Sequence, residues 1–365
     1  MQLYPALITD ALQTVRYPGN GKNLVEAGMV EDDIRIDGDS VSFSLVFDKP
    51  TDPFIKSMAK AAETAIHTYI SPEVKVTVNV ASRQPAAPKD APVLPGVKNI
   101  IGVSSGKGGV GKSTVASNLA VALAQEGYKV GLLDADIFGP SMPKMFGIED
   151  EQLYIHEVDG RQLIIPQERY GVKLLSIGFV VDKEKAVLWR GSMASNALKQ
   201  LITDADWGDL DYFLIDMPPG TSDIHLTLVQ TLPITGVVVV TTPQEVALAD
   251  ARKGIAMFRE DKVNVPILGL VENMAWFTPA EHPDERYYIF GREGGVRLAE
   301  KLGVRLLAQI PLVASIADCG DNGTPIALDG SVTAQAFAHL AREVSDAVAE
   351  RNRELPPTHK VELKH

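Results

Sequence analysis

Gly106-Lys107-Gly108-Gly109-Val110-Gly111-Lys112-Ser113-Thr114 follows the apolar segment Asn99-Ile-Ile-Gly-Val-Ser104 and precedes the helical pattern Val115-Ala-Ser-Asn-Leu-Ala-Val-Ala-Leu-Ala124. A complete G-x-x-x-x-G-K-S spacing between a strand and a helix is the arrangement of a phosphate-binding loop. Glycines let the backbone curl until successive N–H groups point at one anion, and the helix that follows adds the positive end of its dipole. Lys112 is placed to reach the β- and γ-phosphates, and the Ser113 hydroxyl to ligate Mg²⁺. The whole run, Gly106 to Thr114, is therefore the candidate nucleotide cradle. A Gly-rich turn with a solvated lysine is the competing reading of the loop alone, and the flanking strand and helix argue against it.

Downstream of the loop, apolar strand patterns and helical patterns take turns. Strands are expected at Asn99–Ser104, Lys129–Asp134, Val172–Ser176, Tyr212–Asp216, Gly236–Thr241, Ile267–Glu272 and Arg305–Gln309. Gly236-Val-Val-Val-Val and Tyr212-Phe-Leu-Ile are nearly continuous apolar runs, as expected of strands covered on both faces. The fold class that follows is α/β, a P-loop NTPase with a mostly parallel twisted sheet flanked by helices. Ligand would bind at the carboxyl ends of its strands. A final helix is expected over about Val332 to Arg353, with Phe337, Leu340, Ala341, Val344 and Val348 on its core side.

Upstream lies a small α+β domain, residues 1–81. Leu3 to Val15 and Pro53 to Ile70 read as helices, and Asp33–Asp37, Val41–Phe47 and Val74–Val80 alternate as strands. Residues 82–97 form a linker in which Pro85, Pro88, Pro92 and Pro95 favour extended chain. The ATPase domain is expected over 98–354, with 355–365 as a flexible tail.

Composition bounds the function. The 365 residues are 45% apolar, enough for a large core, and carry a formal net charge of −12. That charge disfavours a nucleic-acid binder, because polyphosphate would be repelled. No apolar run approaches a bilayer-spanning length, and Met1-Gln-Leu-Tyr-Pro-Ala lacks the basic and apolar regions of a secretory signal. A cytoplasmic protein with no membrane partner is expected. The single cysteine, Cys319, excludes an intramolecular disulfide and any Cys-only metal cluster within one protomer.

Three further clusters fall at strand ends. In Leu132-Leu-Asp134-Ala-Asp136 the two carboxylates lie on the same side of extended chain. Asp136 is the candidate for positioning the attacking water and Asp134 for a place near the metal; a helix cap or turn is the alternative at Asp136. In Leu214-Ile-Asp216-Met-Pro-Pro-Gly220-Thr-Ser-Asp223, Asp216 is the second Mg²⁺ partner, acting through a coordinated water. The stiff Pro218-Pro219-Gly220 turn is expected to set the Gly220 N–H against the γ-phosphate as part of a switch. Asn273, in Val271-Glu-Asn-Met274, carries both a donor and an acceptor, matching the Watson–Crick edge of adenine, and is equally a common turn residue.

The G-K-G-G-V-G-K-S-T form, with Lys107 directly after the first glycine, resembles the deviant phosphate loop of the septum-site and partition ATPases, nitrogenase iron protein and arsenite-pump ATPase. That resemblance implies a homodimer in which Lys107 reaches the partner's nucleotide. Taken with Leu133-Asp-Ala-Asp-Ile-Phe-Gly-Pro-Ser141, Trp189-Arg-Gly-Ser-Met193, Asp211 to Asp223, Val271 to Met274 and Ile289-Phe-Gly-Arg-Glu-Gly-Gly295, the chain resembles the Mrp/ApbC-type ATPases, the iron–sulfur cluster carriers. The N-terminal domain is similar to one found in iron–sulfur assembly factors. The resemblance implies ATP and Mg²⁺ as ligands, slow hydrolysis, catalytic roles for Lys107, Lys112, Asp136 and Asp216, adenine contact by Asn273, and iron–sulfur apoproteins or assembly factors as clients.

One departure bears on the cluster. Carriers of this group usually have C-x-x-C shortly after Glu-Asn-Met, whereas this chain has Ala275-Trp-Phe-Thr-Pro-Ala-Glu-His-Pro-Asp-Glu-Arg-Tyr-Tyr288, and Thr51-Asp52-Pro53 stands where related N-terminal domains often have Cys-Pro. Four thiolates for a bridging cluster cannot come from that loop. His282, Glu281, Asp284 and Glu285 offer harder ligands but no metal-site spacing, so a solvated acidic loop is the expectation. Cys319 reads as an incidental small residue. A nucleotide-switched scaffold that binds clients and no cluster is the rival function.

Overall fold

In the computed structural model, residues 3–50, 52–83, 93–137, 139–158, 160–179, 191–279, 282 and 285–361 are described. The chain divides into two compact units, Met1–Ala91 and Pro92–His365.

The first unit runs α1 (Pro5–Leu12), β1 (Arg35–Asp37), β2 (Ser40–Phe47), α2 (Ile55–Tyr69) and β3 (Lys75–Ser82). The alternation seen in the sequence puts Val41, Phe43 and Leu45 of β2 inward against Met58, Ala62 and Ile66 of α2. β1 and β2 pair antiparallel and β2 and β3 parallel. Thr51 lies outside the described residues; beside it, Asp52 accepts the Tyr17 hydroxyl and the Phe54 N–H. The Asp52 carboxylate holds that hydroxyl in its protonated form, and its pKa is pushed up to about 12.

In the second unit β4 (Val97–Ser105) leads through the glycine-rich loop into α3 (Lys112–Gln125), followed by β5 (Val130–Asp134) and the short α4 (Met142–Met145). A hairpin, β6 (Tyr154–Val158) and β7 (Arg161–Ile165), precedes β8 (Gln167–Arg169) and β9 (Val172–Ser176). Next come α5 (Gly191–Thr203), β10 (Leu210–Asp216), α6 (Asp223–Thr231), β11 (Gly236–Thr241) and α7 (Glu245–Arg259). The chain closes with β12 (Ile267–Glu272), α8 (Gly294–Leu302), β13 (Leu306–Gln309), α9 (Ala314–Asp321) and α10 (Val332–Glu354).

The main sheet has the order β13-β12-β11-β4-β10-β5-β9-β8, parallel except for the β8–β9 edge pair. Successive residues of each inner strand go to opposite faces. Leu132, Leu214 and Val238 pack with α3 and α10, while Leu133, Phe213 and Val239 pack with α5, α6 and α7. Both faces are therefore dry, which explains the unbroken apolar runs. Burial of each such side chain contributes roughly 1.5–3 kcal/mol.

The β6–β7 hairpin and β8 are additions to the sequence expectation. The sequence carries a signal for the hairpin: Asp-Gly at 159–160 between two half-apolar segments is a pattern that favours a two-residue hairpin turn, and Gly160 takes φ +74°. Arg351 Nη2 donates to the carbonyl of Pro356 (2.7 Å) and to the Thr358 hydroxyl (2.8 Å), and the Val361 N–H donates to the Val229 carbonyl (3.0 Å). These bonds hold residues 356–361 against the second unit. Among the described residues no helix is long and apolar enough to cross a membrane.

Candidate functional site

β4 is central in the sheet, so the loop that follows it is flanked by the ends of β10 and β11. Gly109 (φ +81°) and Gly111 (φ +80°) adopt the left-handed conformation that closes the loop, a region that costs other residues about 1–2 kcal/mol. Gly106 is needed for a different reason: a Cβ there would lie 2.1 Å from the backbone of Asp250, so the loop start packs directly on α7.

Parallel pairing sets Asp216 beside Asp134 in register, which brings the two strand-end carboxylates together. Both are fully buried, 0% exposed, and Lys112 is only 6% exposed. Lys112 Nζ donates to Asp216 Oδ1 (2.5 Å) and to Ser113 Oγ (3.2 Å), and lies 3.9 Å from Asp136 Oδ2. Ser113 Oγ donates to Asp216 Oδ2 (2.6 Å). The sequence-expected residues Lys112, Ser113, Asp136 and Asp216 thus form one cluster. A hydroxyl and carboxylates are hard oxygen donors, the set that suits Mg²⁺. Burial raises the Asp216 pKa, while Lys112 and Ser113 pull it back down.

Asp134, in register beside Asp216, spends its carboxylate on bonds within the protein. Its Oδ2 accepts from the Ser176 hydroxyl (2.8 Å) and the N–H groups of Ser141 and Met142 (3.1 Å each), and its Oδ1 accepts from Asp136 N–H (3.2 Å). Those four donors make it the anchor of the loop from Asp136 to Met142. Burial, with the charge of Asp216 second, pushes its carboxyl up to about 7. Gly220 differs from expectation. Its N–H donates to the Ser105 carbonyl (2.9 Å) rather than standing free for a phosphate, so the turn after β10 is tied to the end of β4.

Asn273 is 5% exposed, and its Nδ2 donates to the Val110 carbonyl (2.9 Å). It also lines a cavity of about 360 Å³ beside the loop, with Gly111, Thr114, Asn118, Pro311 and Ile316. Lys107 is half-buried, and its carbonyl accepts the Ser105 hydroxyl (3.0 Å).

Two buried groups were not picked out from sequence. Glu272, 0% exposed, accepts from Gln309 Nε2 (2.7 Å) and from the Gly295 N–H at the start of α8; the β12–β13 register places it beside Gln309. His225, 1% exposed, accepts the Ser222 N–H at Nδ1 (3.2 Å), so Nε2 carries the ring proton, and that atom is buried without a partner among the described residues. The spacing Ser222-x-x-His225 resembles a capping box and was the available signal.

Burial, helped by the charge of Lys112, takes the His225 pKa down to about 4 from its ordinary value near 6.5. The folded protein therefore binds fewer protons here than the unfolded chain between those values. Its contribution is intact above about pH 6.5 and is lost progressively toward pH 4, up to about 3 kcal/mol. His225→Gln should flatten that part of the stability profile. Thermal midpoints between pH 7 and 4.5 test this; parallel curves for variant and wild type would refute it.

Cys319 on α9 is half-buried, and burial, then Asp329 and Asp318, push its thiol up, away from the thiolate a metal needs. His282 Nδ1 lies 3.6 Å from Glu285 Oε1 in an exposed pair. Glu281, Asp284 and the Trp189-Arg190 part of its motif lie outside the described residues. Among the described residues no group of three or more His, Cys, Asp or Glu side chains could hold a metal ion.

The profile of a family described as "NUBPL iron-transfer P-loop NTPase" matches residues 96–345, and that of "Iron-sulfur cluster assembly protein" matches residues 6–80. An iron-sulfur cluster carrier protein of Synechocystis sp. is 43% identical over 350 residues, spanning 94% of this chain and 98% of its own. One from Aquifex aeolicus is 50% identical over 259 residues, spanning 70% of this chain and 69% of its own. Among solved structures, a nucleotide-binding protein of Archaeoglobus fulgidus in complex with ADP is 38% identical with a TM-score of 0.54, covering 63% of this chain and 88% of its own.

Proposed function

The chain belongs to the NUBPL-type iron-transfer P-loop NTPase family, of the Mrp/ApbC type, and from that premise we propose that it is a homodimeric ATPase that delivers iron–sulfur clusters to apoproteins. The observation that carries the nucleotide half is the cluster of Lys112, Ser113, Asp136 and Asp216 at the mouth of the loop. Lys112 and the loop amides hold the phosphates. Ser113 and Asp216 would hold Mg²⁺, which would supply charge stabilisation for the phosphoryl group. Asp136 orients the attacking water, and Lys107 closes on the nucleotide of the partner subunit.

The cargo half is supported by the relatives' names, which favour a carrier over a cluster-free scaffold. One cysteine per chain gives two thiolates per dimer. A cluster held by four thiolates of the dimer does not fit these residues, so the cluster is treated as cargo rather than as a resident cofactor.

Anaerobic incubation of the chain with iron, sulfide and an iron–sulfur apoprotein, with and without Mg–ATP, tests this. Acceptor loading is expected to be faster with the chain and to respond to ATP. An iron-free chain that leaves the loading rate unchanged would sink the carrier reading while leaving nucleotide binding intact.

A further inference from the structure

We propose that Asn273 is the positioning residue that locks the Val110–Gly111 peptide of the phosphate loop, a role that rests on the nucleotide function proposed above and is separate from contact with a base. In a trans peptide the C=O and N–H lie in one plane and point in opposite directions. The bond from Asn273 Nδ2 to the Val110 carbonyl (2.9 Å) therefore fixes the Gly111 N–H pointing away from Asn273; under the proposed function that N–H is one of the loop amides that meet the phosphates. Glycine at φ +80° has ready access to other backbone conformations, so this peptide needs an external restraint against flipping. A flipped peptide would turn a carbonyl, not a donor, toward the phosphates.

The restraint is itself rigid. The Asn273 N–H donates to the Thr241 carbonyl (2.8 Å), while Glu272 and Ala275 on either side are bonded to the backbone of Ile310 (2.9 Å each). The buried Glu272 side chain is bonded to Gln309 and Gly295. Met274 then takes φ +55°, an uncommon conformation for its type, as the chain leaves the strand. The fit to the loop is close: a Cβ on Gly111 would lie 2.2 Å from Asn273 Nδ2. Asn273 thus stands as a fixed post at the end of β12, 163 residues from the carbonyl it holds.

The two roles separate when the ligand has no base. Mg-tripolyphosphate and Mg–ATP are titrated calorimetrically into the full wild-type chain, Asn273→Ala and Asn273→Thr. Threonine keeps a polar, strand-compatible side chain too short to reach Val110, so a folded second variant remains if alanine is not tolerated. Both variants should weaken tripolyphosphate and ATP by the same factor, about tenfold. Weakened ATP with tripolyphosphate at the wild-type level would make Asn273 a base contact and overturn the proposal, as would unchanged affinity for both. If the wild type takes up neither ligand, the phosphate-loop function itself fails.

Discussion

Lys112→Ala is expected to lower ATP turnover by about 10²–10³-fold, the scale of losing one charge-stabilising donor in a phosphoryl-transfer or acyl-transfer site. Lys112 is the cation among three carboxylates: it binds Asp216 at 2.5 Å, lies 3.9 Å from Asp136, and Asp216 sits in register with Asp134. Its removal takes away the positive charge that faces the β- and γ-phosphates and leaves buried acids that cannot all stay ionised. Asp134, already pushed up to about 7 by burial and by Asp216, shows how reluctant that neighbourhood is to hold negative charge. The fold should survive, because protonation of the acids relieves much of the cost. Phosphate release measured beside a thermal melt checks both statements. Turnover at the wild-type rate would reject the assignment of the site.

Lys107→Ala should remove ATP-dependent dimer formation and reduce turnover by about 10³-fold or more, the scale of a cation supplied in trans to a transferring phosphoryl group. The backbone of Lys107 is held by the Ser105 hydroxyl through its carbonyl, so deleting the side chain leaves the loop anchored. ATP affinity of the isolated subunit should therefore fall less than in Lys112→Ala, since the contacts made within one subunit persist. Light scattering with and without Mg–ATP reads the dimer. A normal ATP-dependent dimer with normal turnover would count against the role in trans.

Much of the second unit was legible in the sequence. Val172–Ser176, Gly236–Thr241 and Ile267–Glu272 are strands with the bounds their apolar runs suggested, because a strand dry on both faces has no other composition. The β6–β7 hairpin was missed because its residues are half-exposed and weakly patterned, leaving the Asp-Gly pair at 159–160 as the main cue. Lys112, Ser113, Asp136 and Asp216 are each legible in the sequence, since they open a recognisable helix or lie at or just beyond the end of a recognisable strand. Glu272 and His225 were passed over: a lone acid after an apolar run and a histidine inside a helical pattern read as ordinary surface residues until their burial is known.

The sequence by itself determined that a glycine-rich loop joins an apolar strand to a helix and that acids close two other apolar strands. Those features depend on spacing and composition within a few residues. Only the tertiary structure decided where each polar group is used. Asp134 holds the loop after β5, the Gly220 N–H goes to Ser105, and Asn273 grips the Val110 carbonyl. Such bonds join groups on different strands, and their geometry comes from sheet order and register, which leave no local pattern in the chain.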